Sequence, residues 1–155
     1  MARIIGGVII GYLAMAAFVF VTMSLAYLAM GAEMAFKPGS YEVTGVWVVT
    51  SIALSLAAAM IGGFICMLVA RRGTAGRALA VVVFILGVAF ALPALINPEP
   101  VLPRSAEVSD FEAMHSARQP TRILLVTPLI GASGVILGAR MARRRVARVD
   151  SPTLP

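Results

Sequence analysis

Cysteine, histidine and lysine each occur once in this chain, and acidic residues number only seven in 155. A single cysteine, Cys66, excludes an intramolecular disulfide and any metal site built on several thiolates. It lies inside an apolar run and reads as a buried, inert thiol. One histidine, His115, cannot by itself supply a metal site or a relay. No acid falls within any long apolar run, which argues against the intramembrane carboxylate that proton-coupled carriers need to justify its burial cost.

What remains is apolar. Hydrophobic residues make up 60% of the chain and charged residues 13%, with a mean hydropathy of +0.95. Soluble domains carry about 25% charged residues. The composition therefore points to a membrane protein before any pattern is read. Four runs, at residues 4–30, 46–70, 78–96 and 123–139, contain no Asp, Glu, Lys, Arg or His. A helix needs about 20 apolar residues to cross the hydrocarbon core, and the bilayer offers backbone groups no water, so each run is expected to be a helix. The first run is about twice as long as the 7–15 residues of a signal-peptide core, so a retained helix is expected. The fold class predicted is all-α: a four-transmembrane-helix antiparallel bundle in one membrane domain, residues 1–149, with a short disordered tail at 150–155.

Orientation follows from the connections, because Lys and Arg accumulate in cytoplasmic loops. One side holds Arg3, Arg71, Arg72, Arg77, Arg140, Arg143, Arg144, Arg145 and Arg148 with Asp150 as its single acid. The other holds Lys37, Arg104, Arg118 and Arg122 against six acids. The arginine-rich side is expected to be cytoplasmic, together with both termini. Twelve arginines against one lysine, with much Ala, Gly and Val, suit a GC-rich bacterial genome, hence an inner-membrane location.

The connections carry turn signals. Lys37-Pro38-Gly39-Ser40 has proline and glycine where a type II turn takes them, and Thr44 is placed to cap the second helix. Trp47, one turn inside, is expected at headgroup depth. Gly73 and Gly76 in the short arginine-bearing connection predict that helices two and three are antiparallel neighbours. The outer loop, residues 97–122, contains Ser109-Asp110-Phe111-Glu112, a capping-box pattern that predicts a short amphipathic helix at 110–117.

Within lipid, helices associate through close packing, and small residues at spacing four mark contact faces. Gly7 and Gly11 form one such face, Ser51, Ser55, Ala59 and Gly63 a second, and Gly134 with Gly138 a third. The third helix offers Ala80, Gly87 and Ala94 at spacing seven. Packing within one chain is expected, with homodimerisation as the other use of these faces. Pro93 and Pro128 interrupt spans and each removes one backbone hydrogen bond. Pro93 is expected to end its helix, and Pro128 to be tolerated with help from Thr127.

Glu112 and His115 stand three apart on the expected loop helix, the one arrangement with acid/base or metal character. Too few further ligands accompany them, so no catalytic, cofactor-binding or metal site is assigned and no cofactor is expected. The chain departs from the small multidrug-resistance transporters, four-span proteins with a glutamate inside the first span, since Glu33 lies at the outer end of that run. Arg71, Arg72, Arg140, Arg143, Arg144, Arg145 and Arg148 are expected to anchor the topology or meet anionic lipid, each worth about 1 kcal/mol at a charged leaflet. The expected partners are membrane lipids and either another membrane protein or a second copy, with no nucleic acid. The functional expectation is a non-enzymatic accessory or scaffold subunit working through helix contacts and the outer loop. Its alternative is a small transporter, channel or lipid-binding protein whose outward polar cavity is lined by Ser51, Ser55, Thr22 and Ser24.

Overall fold

Charge-free runs flanked by arginines become helices in the computed structural model, which describes residues 1–38, 40–96 and 121–149. Among these lie four α-helices and no strand: α1 (Ala2–Ala35), α2 (Gly45–Ala70), α3 (Gly73–Ile96) and α4 (Thr121–Val149). The first three are each long and apolar enough to cross a membrane. Their apolar surface is not spent inside the chain: Phe20 is 74% exposed, Leu28 71% and Phe90 79%. Water would not tolerate so much contiguous apolar surface, whereas hydrocarbon covers it at no cost. The expected loop helix at 110–117, with Glu112 and His115, lies outside the described residues, as does the tail at 150–155.

Helix ends differ from the apolar runs where backbone chemistry overrides hydropathy. α1 continues past Met30 but breaks at Gly31, whose φ of 72° and ψ of 167° no side chain-bearing residue adopts comfortably. The last turn then leads into a tight connection. Phe36 and Val43 form an isolated antiparallel bridge, the Ser40 amide donates to the Lys37 carbonyl at 3.2 Å, and Lys37 pairs with Glu42 at 2.6 Å. The conformation of Gly39, on which the type II assignment depends, lies outside the described residues. Thr44 is the cap of α2: its hydroxyl accepts from the Trp47 amide at 3.2 Å and donates to the Met34 carbonyl at 2.6 Å, joining both helices.

Between α2 and α3 the connection is only Arg71 and Arg72. Arg71 closes α2 in the left-handed conformation, with its amide on the Met67 carbonyl at 2.9 Å. Gly73 already belongs to α3, five residues before the apolar run begins, because the first turn of a helix tolerates polar residues facing outward.

The order of helices around the bundle is α1, α2, α4, α3. α2 packs chiefly on α1 and α4, and α3 chiefly on α4. The expected antiparallel neighbours α2 and α3 are in contact, but more lightly than either is with α4. The short link brings their ends together, but backbone proximity elsewhere decides the partner. A methyl at Gly11 would lie 2.7 Å from the Gly62 carbonyl oxygen, and one at Gly134 would lie 2.8 Å from the Ala59 Cβ. Gly63 is held against the Val135 carbonyl, and Gly138 against the Met60 carbonyl. Leu79, wholly buried, fills the space beside Gly11 and joins α3 to α1.

Candidate functional site

Two packing centres hold the bundle, one near each end. Near the arginines, Cys66, Ala70, Ala75, Leu79 and Val135 form a cluster of small and branched side chains. At the opposite end Tyr27, Phe36, Tyr41 and Trp47 form an aromatic clamp between α1 and α2. Tyr27 meets Trp47 edge to face at 5.9 Å between ring centres, the geometry aromatic pairs prefer. Trp47 is only 8% exposed. Its ring thus packs inside the chain, against Tyr27.

Between these centres the helices part and leave two adjoining spaces. The larger, about 530 Å³, is a groove between α1 and α3. Its walls include Val19, Phe20, Val83, Phe90 and Pro128, and α2 contributes Ser55 and Ala59 to its floor. The smaller, about 320 Å³, is a chamber walled by Tyr27, Phe36 and Trp47 on one side and by Ser51, Ser55 and Thr127 on the other. Ser55 and Thr127 line both spaces, so the groove and the chamber adjoin at those two residues.

The hydroxyls have defined roles. Ser51 donates to the Val48 carbonyl at 2.9 Å and Thr127 to the Ile123 carbonyl at 2.8 Å. Their protons are used within their own helices, which leaves the oxygens facing a ligand as acceptors. Thr22 likewise donates to Phe18 at 2.7 Å, and neither it nor Ser24 lines the chamber. The hydroxyl wall therefore consists of Ser51, Ser55 and Thr127, where the sequence had suggested Ser51, Ser55, Thr22 and Ser24. Pro128 is buried against Gly87, where a methyl would lie 3.0 Å from the proline Cβ. The amide it lacks would have reached the Leu124 carbonyl, whereas the Thr127 hydroxyl reaches Ile123 and does not replace it. Pro93 lies in the last turn of α3, which runs on to Ile96.

Of the residues expected at helix contacts, Gly7, Gly11, Ala59, Gly63, Gly134 and Gly138 sit where α1, α2 and α4 approach closest. Ser51 and Ser55 stand on cavity walls. A second small-residue stripe on α2, Ala58, Gly62, Cys66 and Ala70, is buried and was missed. It has the same spacing of four as the stripe that was read, and scanning each face of the helix separately would have found it.

Among the described arginines, Arg145 stacks over the Phe64 ring at 5.8 Å, while Arg71, Arg72, Arg140, Arg143 and Arg144 are exposed. The side chain of Arg148 lies outside the described residues. No group of three or more His, Cys, Asp or Glu side chains able to hold a metal occurs among the described residues. Among the described residues, neither the groove nor the chamber has a carboxylate or imidazole on its walls, so what those residues offer is apolar contact and neutral hydrogen-bonding groups, with the Ser51 and Thr127 oxygens as acceptors. Comparison with family profiles, curated proteins and solved structures finds no match.

Proposed function

We propose that this chain is a four-span membrane protein that binds one lipid or similar amphiphile, with the apolar part in the groove between α1 and α3 and the polar part in the hydroxyl-lined chamber. The observation that carries this reading is that Ser55 and Thr127 line both spaces. An uncharged apolar groove ending at hydroxyl acceptors and aromatic rings matches a molecule with a hydrocarbon body and a hydrogen-bond donor at one end. In this reading α4 is the fourth span through residues 123–139, the arginine-rich end and both termini are cytoplasmic, and the chamber opens near the outer face. The membrane is a bacterial inner membrane.

Binding, with no reaction, is the role proposed. The accessory or scaffold expectation relied on helix contacts with a partner and on the outer loop. Gly7, Gly11, Gly63, Gly134 and Gly138 are occupied within the chain, which favours the ligand-binding alternative.

The test uses the full chain in mixed phospholipid and detergent with a phospholipid carrying a photoreactive group in its acyl chain. Labelling concentrated at Phe20, Val83 and Phe90, and reduced in Ser55→Phe, is expected. Labelling spread equally over the outward residues Leu25 and Val49 would remove the proposal. Orientation is checked separately, in a Cys66→Ala background, by an impermeant thiol reagent that should reach Ser40→Cys and spare Thr74→Cys in intact cells.

A further inference from the structure

A third cavity, about 360 Å³, lies at the arginine-rich end, remote from the groove and chamber. Its walls combine Gly73, Gly76 and Arg77 of α3 with Arg140 and Arg143 of α4, closed at the back by the apolar Met67 and Ile136. Arg140 and Arg143 are three apart on one helix and so share a face, and Arg77 approaches from the first turns of α3. Gly73 opens α3, and an Arg143 guanidinium nitrogen lies 4.0 Å from where a Gly73 side chain would begin. Gly73 puts no side chain over the start of α3, whereas Gly76 packs against Ala139; of the initial amides, that of Ala75 donates to the Arg72 carbonyl at 3.0 Å, and those of Gly73 and Thr74 precede the first carbonyl the helix could offer them.

Among the described residues, no acid balances the charge at this place. The one ion pair among the described residues joins Lys37 to Glu42 near the aromatic clamp. The described acids, Glu33 and Glu42, both lie at that far end. Three arginines from two helices therefore line one cavity that has no described carboxylate on its walls. A ligand that completes the site must be an anion, and guanidinium forks with helix-start amides suit the tetrahedral oxygens of phosphate. The cavity also has an apolar back wall, which a free inorganic ion would not use.

We infer that the pocket formed by Arg77, Arg140, Arg143 and the start of α3 binds a phosphate group, supplied by the headgroup of an anionic phospholipid. The site is distinct from the groove and does not depend on what the groove holds. It also differs from a diffuse basic surface, because it selects three arginines from the larger set at this end.

The test is thermal unfolding of the detergent-solubilised full chain, read by reaction of a fluorogenic maleimide with the buried Cys66. Phosphatidylglycerol should raise the midpoint, and phosphatidylcholine of the same acyl chains should not. A triple variant R77Q/R140Q/R143Q should lose that response, whereas R71Q/R72Q/R144Q, equal in charge removed, should keep it. If inorganic phosphate at matched ionic strength reproduces the whole shift, the phosphate site stands and the lipid source is overturned. Equal loss in both triple variants would show a diffuse field and overturn the site, as would no response to phosphatidylglycerol in the unmodified chain. Should the pocket variant fail to fold, Arg140→Lys keeps the charge and loses the fork. A fall of about tenfold in phosphatidylglycerol affinity is then expected, and unchanged affinity would overturn the assignment.

Discussion

Replacing Gly138 with alanine tests whether α2 and α4 are joined through their backbones. The new methyl would be driven against the Met60 carbonyl, which is fixed in a helix and cannot rotate aside as a side chain would. Nonbonded carbon contacts are best at about 3.5–4.0 Å, so the two helices must part by on the order of 1 Å. A radial gap of about 0.5–1 Å forfeits roughly a quarter to a half of each contact's ~0.1–0.2 kcal/mol. Over a crossing of about 30 atom pairs the loss comes to about 1–3 kcal/mol, the range that overpacked interiors show. Gly6 is the control, since a methyl there meets nothing within 4 Å and changes only helix propensity. Unfolding followed through Cys66 should show Gly138→Ala melting roughly 2–12 °C below Gly6→Ala, at about 2–4 °C per kcal/mol for a chain of this size. Combining Gly138→Ala with Gly63→Ala should cost less than the two separate losses, because the parting required by one accommodates the other. If Gly138→Ala melts no lower than Gly6→Ala, the backbone contact between α2 and α4 is refuted.

Two substitutions examine the connection between α1 and α2. Gly31→Ala should lower stability by about 1–3 kcal/mol, the cost of forcing a side chain into a glycine-only conformation, and Gly31→Asn should give no rescue because asparagine tolerates the left-handed helical region and not the ψ found here. Thr44→Val keeps the shape and removes the hydroxyl that both caps α2 and holds Met34; about 1–2 kcal/mol should be lost by thermal unfolding, and Thr44→Ser should recover most of it.

The helices were legible because exclusion of charge over about 20 residues is a strong and local signal. Their pairing was not. Small residues at spacing four identify faces that allow close approach, and a glycine carries no mark of which helix will approach it. α2 illustrates the difficulty: its stripe through Ala59 and Gly63 meets α4, while the stripe through Gly62, Cys66 and Ala70 meets α1. Reading one stripe gave α2 one partner, and its central position came from having two. The partners of Trp47 were not legible for a related reason. Tryptophan does favour the membrane interface, but Tyr27 and Phe36 supplied an aromatic pocket that only the turn at residues 36–43 brings into reach. The hydroxyl wall was half legible. Ser51 and Ser55 fall on it, whereas Thr127 belongs to it through the parallel pairing of α2 with α4, a tertiary fact no local pattern contains.

That pairing also explains why the groove lies between α1 and α3. α1 is bound to α2 at both ends, through Gly7 and Gly11 near the arginines and through Tyr27 against Trp47 at the far end. α3 is bound to α4 where Gly76 meets Ala139 and again where Gly87 meets Pro128. α1 and α3 meet more lightly, among other places where Leu79 reaches Gly11. Moving α1 or α3 to close the groove would work against the aromatic clamp or the Pro128 seat. The groove is therefore preorganised by the packing of its own walls, and the proposed amphiphile would spend little of its binding energy on opening a space to occupy.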